Sequence, residues 1–133
     1  MTAFVDTSVV VRYLMGDPAE MAERAATIID GVEELHVTDV VLAETAYVLT
    51  SVYRVPRDVV VHHLVALLRK DNIVAHGLPK DLALQAMLLC RPSGRVSFAD
   101  ALVWAVARAA PPGVIYSFDQ RFPAFGLELR SYP

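Results

Sequence analysis

The sequence predicts an α/β fold: a short, mostly parallel central sheet flanked by helices in three layers, α/β/α. Three observations point there. Short apolar runs of strand length alternate with longer helical segments along the whole chain, the pattern of a parallel sheet built from crossover units. Cap and breaker residues separate those segments at nearly every junction. At 133 residues and 55% hydrophobic, the chain reads as a single domain, residues 1–133, able to bury roughly two-thirds of its unfolded surface.

Taken in order, Ala3–Val5 reads as the first strand, with Thr7 or Ser8 capping a helix to about Met15. Asp17-Pro18 is a start signal, Asp as N-cap and Pro at the first helical position, for a second helix to about Asp30. Leu35–Val37 is a short strand, after which Thr38 or Asp39 caps a helix through about Val52. Arg54-Val55-Pro56 breaks the chain before a helix over Arg57–Lys70. Ile73–Ala75 is a strand, and Lys80–Leu89 a helix ended by Arg91-Pro92-Ser93-Gly94-Arg95. Ser97-Phe98-Ala99-Asp100 is a capping-box variant opening a helix that Pro111-Pro112-Gly113 stops. Val114–Tyr116 and Leu127–Leu129 complete the order, the last as an edge strand.

Bulk properties narrow the function classes. Mean hydropathy is +0.42, yet no apolar run reaches the roughly 18–20 residues that span a bilayer. An apolar surplus in a small domain instead predicts a dimer or a tightly bound partner. Asp6 and Arg12 interrupt the N-terminal apolar stretch, so no secretory signal is read and a cytoplasmic protein is expected. Cys90 is alone and is expected to be a buried small hydrophobe. The net charge of −3 argues against a general nucleic-acid binder. Its distribution is uneven, with nine acids and two bases in residues 1–50 against six acids and ten bases in residues 51–133. Ten of the twelve bases are Arg, the residue suited to bidentate phosphate contacts.

Four carboxylates stand where decoration explains them poorly. Asp6 ends the run Ala3-Phe4-Val5, Glu44 sits within Val40–Ala46, Asp100 opens an apolar helix, and Asp119 follows Val114–Phe118. Charges beside core-forming segments are costly unless something pairs with them. In open α/β sheets, ligands gather at the carboxyl ends of the strands, where all four can converge on a divalent cation. Hard oxygen ligands select Mg²⁺ or Mn²⁺. Without metal, adjacent carboxylates repel, and at least one is expected to titrate upward. Each acid alone has a structural reading: helix cap for Asp6, capping box for Asp100, turn former for Asp119, with Glu44 the hardest to explain so.

Their flanking residues carry a resemblance. Phe4-Val5-Asp6-Thr7-Ser8-Val9-Val10-Val11-Arg12-Tyr13-Leu14 resembles the opening of PIN-domain proteins, specifically the toxin subunits of VapBC toxin–antitoxin pairs. Val41-Leu42-Ala43-Glu44, Ser97-Phe98-Ala99-Asp100-Ala101-Leu102-Val103 and Ser117-Phe118-Asp119-Gln120-Arg121-Phe122 are similar to the later family motifs, in order and over essentially the full length. The resemblance implies a PIN-like fold and a Mg²⁺- or Mn²⁺-dependent endoribonuclease of a type II toxin–antitoxin system. It implies that Asp6, Glu44, Asp100 and Asp119 hold the metal, directly or through water, with Ser8 and Ser117 orienting a carboxylate or a water. It also implies an RNA substrate and a VapB-type antitoxin; with the apolar surplus, a homodimer is expected.

Other features weigh less. His36, His62, His63 and His76 show no metal motif, and Trp104 reads as core. A haloacid-dehalogenase-type phosphotransferase needs a second Asp where Ser8 stands. A response-regulator receiver needs a late Lys, and the last is Lys80. A non-catalytic RNA- or protein-binding module on the same scaffold is the remaining alternative, disfavoured because none of the four acids is missing.

Overall fold

A computed structural model of the chain describes residues 2–133. The expected order of elements is observed: β1 (Ala3–Phe4), α1 (Thr7–Met15), α2 (Ala19–Ile29), β2 (Leu35–Val37), α3 (Asp39–Ser51), α4 (Arg57–Leu68), β3 (Ile73–Ala75), α5 (Lys80–Leu89), α6 (Phe98–Arg108), β4 (Val114–Tyr116) and β5 (Glu128–Arg130). Helices and short parallel strands give the α/β class, as expected of a three-layer α/β/α domain.

The strands pair differently from a single expected sheet. β1, β2 and β3 form one parallel sheet in that order, while β4 and β5 form a separate parallel pair. In the three-stranded sheet Phe4 pairs with His36, and Leu35 with Ile73. Because side chains alternate across a strand, Leu35, Val37, Ile73 and Ala75 all turn to the core and are buried. Phe4, His36 and Val74 take the opposite face, where Phe4 stays 53% exposed. The last strand begins one residue later than the sequence suggested. A turn closed by Leu127 N–H donating to Ala124 C=O comes first, and the ladder opens with Glu128 N–H on Gly113 C=O. Gly113 has φ +75°, and a Cβ there would press on Leu127 at 3.2 Å.

Helix boundaries follow local chemistry. Gly16, φ 69°, supplies the left-handed C-cap of α1, its N–H donating to Arg12 C=O. At α2 the expected Asp17 cap is not used. Pro18 is extended (ψ 155°) and occupies the cap position without a side-chain acceptor. The C-terminal end of α2 is secured instead from α1 and from the chain just beyond α4. Tyr13 Oη and Lys70 Nζ both donate to Asp30 Oδ1, at 2.6 and 2.9 Å. These bonds hold the Asp30 carboxyl below its ordinary range.

The core runs through α3, α4, α5 and α6 against the sheet, with Leu42, Leu49, Leu64, Leu68, Met87 and Trp104 buried. Trp104 is core, as read from the sequence, and its Nε1–H also donates to Phe125 C=O at 2.8 Å, tethering the C-terminal segment. Leu64 is fully buried, so Leu64→Ala is expected to cost about 2–5 kcal/mol, measured as a lowered denaturation midpoint with unchanged urea m-value.

Candidate metal-dependent active site

Of the α1 caps that the sequence offered, Thr7 or Ser8 and, as the structural reading of the acid, Asp6, it is Asp6 that caps the helix. Its Oδ2 accepts from Ser8 Oγ at 2.9 Å and Ser8 N–H at 3.4 Å. The first N–H groups of a helix have no internal partner, and a carboxylate there satisfies them while meeting the positive end of the dipole. The Ser8 hydroxyl, then the Ser8 and Thr7 N–H groups, hold the Asp6 carboxyl below its ordinary pKa. Both contacts use Oδ2, and the residue is exposed.

Glu44 lies in the second turn of α3 and is exposed. It does not interrupt a buried face, as the sequence suggested. Leu42, Thr45, Ala46 and Leu49 point inward, while Glu44 shares the outer face with Val40 and Tyr47, which are 70% and 67% exposed. Asp100 occupies the third position of α6, its N–H donating to the Ser97 cap at 3.0 Å. Among the described residues, its carboxylate accepts no returning bond, so the capping box is half-formed and the carboxylate is uncommitted. Asp119 sits in the turn after β4, exposed. Its N–H donates to Ser117 Oγ at 3.0 Å, and its Oδ1 accepts from Arg121 N–H at 2.8 Å. Ser8 thus contacts a carboxylate, whereas Ser117 holds backbone.

All four acids reach solvent, which removes the desolvation cost as their explanation. Among the described residues no three His, Cys, Asp or Glu side chains are grouped to hold a metal ion. The donor chemistry nevertheless fits a hard divalent cation: carboxylate oxygens, solvent access, and at Asp6 a stabilised negative charge. Thr7 and Thr45 directly follow Asp6 and Glu44 on the packed helices α1 and α3, and the hydroxyls of both are buried without a partner. Oxygen-lined, incompletely satisfied surroundings suit Mg²⁺, which keeps several waters and takes one or two carboxylates plus substrate phosphate in place of an all-protein cage.

The α6 end of the site has a support that the sequence did not reveal. Arg57, on α4, donates through one Nη to Cys90 C=O at 3.1 Å and to Val96 C=O at 3.0 Å, with its guanidinium 4.9 Å from the Phe98 ring centroid. It pins both ends of the Arg91–Arg95 loop that precedes Ser97 and Asp100. Burial raises the Cys90 thiol to about 11; Arg57 opposes the shift and Asp100 adds to it. A second missed pairing joins His36 and His76, whose Nδ1 atoms lie 3.1 Å apart. Forty residues of separation hid it from any motif.

Between α1 and α2 runs a groove of about 110 Å³, lined by Ser8, Val9, Arg12, Met21, Arg24, Ala25 and Ile28.

Three outcomes follow from this geometry. Asn caps helices as well as Asp, so Asp6→Asn is expected to keep the melting temperature at neutral pH, whereas Asp6→Ala lowers it. The lowered Asp6 pKa means that the charged cap contributes above the unfolded value near 3.8 and is lost as pH falls through the folded value. Thermal melts across pH 2–7 should therefore show a shallower acid limb for Asp6→Asn. Cys90 should resist iodoacetamide at pH 8 in the native state and react after unfolding, followed by mass spectrometry.

The family model described as PIN domain matches residues 3–127. No curated protein matches the chain.

Proposed function

From the chain's membership of the PIN domain family, whose members are nuclease-type modules, we propose that it is a Mg²⁺- or Mn²⁺-dependent endoribonuclease acting as the toxin of a type II toxin–antitoxin pair. The observation that carries the reading is Asp6: at the end of β1, capping α1, exposed, and held ionised by Ser8.

In this reading Asp6, Glu44, Asp100 and Asp119 hold the cation, some through water. A bound cation lowers the pKa of a water and offsets charge on the phosphate. The protein's own groups do the rest. Ser8 fixes Asp6 through Oδ2 and leaves Oδ1 open to a ligand. The α6 N-terminus stabilises charge on Asp100, and Arg57 keeps that turn in place. Ser117 and the Asp119–Arg121 contact hold the last acid in its turn. The substrate is RNA, and the partner a VapB-type antitoxin. The α1–α2 groove, opening beside Ser8, suits an antitoxin segment that carries its chain on toward Asp6 or Asp100 and places an Arg there. Arg12 suits the backbone carbonyls of such a segment: it lines the groove, and its Nε–H is buried without an acceptor. Exposed apolar side chains such as Met21, Ile28, Val103 and Val106 support a homodimer or partner contact. Among the described residues no helix is long and apolar enough to cross a membrane; a cytoplasmic location belongs to the proposed role.

One observation favours a second reading, a non-catalytic RNA- or protein-binding module: the lack of a three-ligand metal grouping among the described residues. Cleavage separates the two. Purified protein with Mg²⁺ or Mn²⁺ is expected to cut RNA leaving 5′-phosphate and 3′-hydroxyl ends. EDTA and Asp6→Asn should each abolish the cut while the fold persists. Full activity in EDTA, or cyclic phosphate ends, defeats the metal mechanism; RNA binding without cleavage supports the module.

A further inference from the structure

Asp6, Glu44, Asp100 and Asp119 engage neither His36 nor His76, yet these two imidazoles form a ligand-like pair. His36 lies on β2, paired in register with Phe4 of β1, and His76 directly follows β3, its N–H bonded to Val37 C=O. Three features coincide. The two Nδ1 atoms are 3.1 Å apart. The other nitrogen of His36, Nε2, lies 3.5 Å from Glu34 Oε2. The Phe4 ring flanks both imidazoles, its centroid 4.8 Å from that of His76 and 5.4 Å from that of His36.

Zinc–imidazole bonds are about 2.0–2.1 Å, and two of them spanning this separation enclose an N–metal–N angle of about 95–102°. That lies between octahedral and tetrahedral values, so the separation of the two nitrogens suits one shared ion. A carboxylate beside the outer nitrogen is the arrangement that orients metal-bound histidines, keeping the proton there and leaving the inner nitrogen as a lone pair; Glu34 stands at ion-pair distance from that nitrogen of His36. Glu34 thereby favours the Nε2–H tautomer of His36 and turns its Nδ1 lone pair toward His76. In the metal-free protein His76 must then donate from Nδ1–H. Metal binding needs only its neutral tautomer exchanged, the proton moving to Nε2.

We propose that His36 and His76 form a site for a borderline divalent transition ion, Zn²⁺ in the first instance, bound through both Nδ1 atoms with water completing its shell. Imidazole selects Zn²⁺ over the Mg²⁺ that suits the carboxylates, so the two sites differ in chemistry as well as place. With two protein ligands the site is an exchangeable one, and it links β2 to the chain leaving β3.

The test uses the full chain carrying Asp6→Asn, which lowers carboxylate background, titrated with Zn²⁺ by calorimetry while ring nitrogens are followed by ¹⁵N NMR. One equivalent is expected, with the His76 proton moving from Nδ1 to Nε2. His36→Gln and His76→Gln should each abolish uptake while circular dichroism stays unchanged. Glu34→Gln should weaken uptake about 10-fold or more, and His62→Gln/His63→Gln should not alter it. Absence of zinc uptake, uptake that survives both His36→Gln and His76→Gln, or uptake lost with the His62/His63 variant overturns the proposal. None of these results depends on RNA cleavage.

Discussion

Much of this molecule follows from the unpaired N–H groups at helix starts. A parallel sheet delivers successive strands to one edge, and the helices that follow begin there. Each begins with N–H groups that have no partner within the helix. Asp6 and Thr38 answer that demand after β1 and β2, and Ser97 answers it at α6. At these three helices side-chain oxygens therefore collect for reasons of backbone chemistry alone. A hard cation requires oxygens of the same kind, so the acid that caps α1 is also a candidate ligand. Structural and functional readings of Asp6 describe one carboxylate with two oxygens.

The arrangement divides labour between shells of interaction. Ser8 and the α1 backbone fix Asp6, and Ser97 fixes the turn bearing Asp100. Neither acid spends all its acceptor capacity on the fold. Behind them the core is apolar and close to fully excluded from solvent, so the helices that present the acids have little freedom to shift. The C-terminal part is held more sparingly. Its strands pair only with each other, Tyr116 and Leu129 are exposed, and Trp104 anchors the segment through one hydrogen bond to Phe125.

The order of elements was readable because punctuation was strong: Arg54-Val55-Pro56, the Arg91–Arg95 loop and Pro111-Pro112-Gly113 each break the chain where a helix or its approach ends. The motifs around the four acids were readable for a similar reason, since each is local. What escaped was the direction in which side chains point. Helix α3 is apolar on nearly every side, with Val40 and Tyr47 outside and Leu42 and Leu49 inside, so periodicity gave no contrast to show that Glu44 faces solvent. The choice among Asp6, Thr7 and Ser8 as the α1 cap, all readable from the sequence, depended on one residue's backbone angles. Contacts between distant segments left no trace in spacing: Arg57 reaches carbonyls 33 and 39 residues away, and His36 meets His76 across 40.

The Arg57 clasp carries an evolutionary consequence. By gripping the carbonyls of Cys90 and Val96, it separates the start of α6 from whatever lies between them. Gly94 leaves room, its nearest neighbour being the Arg57 side chain at 3.8 Å from where a Cβ would stand. Residues 91–95 are all exposed. The interior of this loop is thus free to change in sequence or length with little disturbance of Asp100. It is an exchangeable rim beside a fixed turn, able to drift in sequence while the position of Asp100 stays constant.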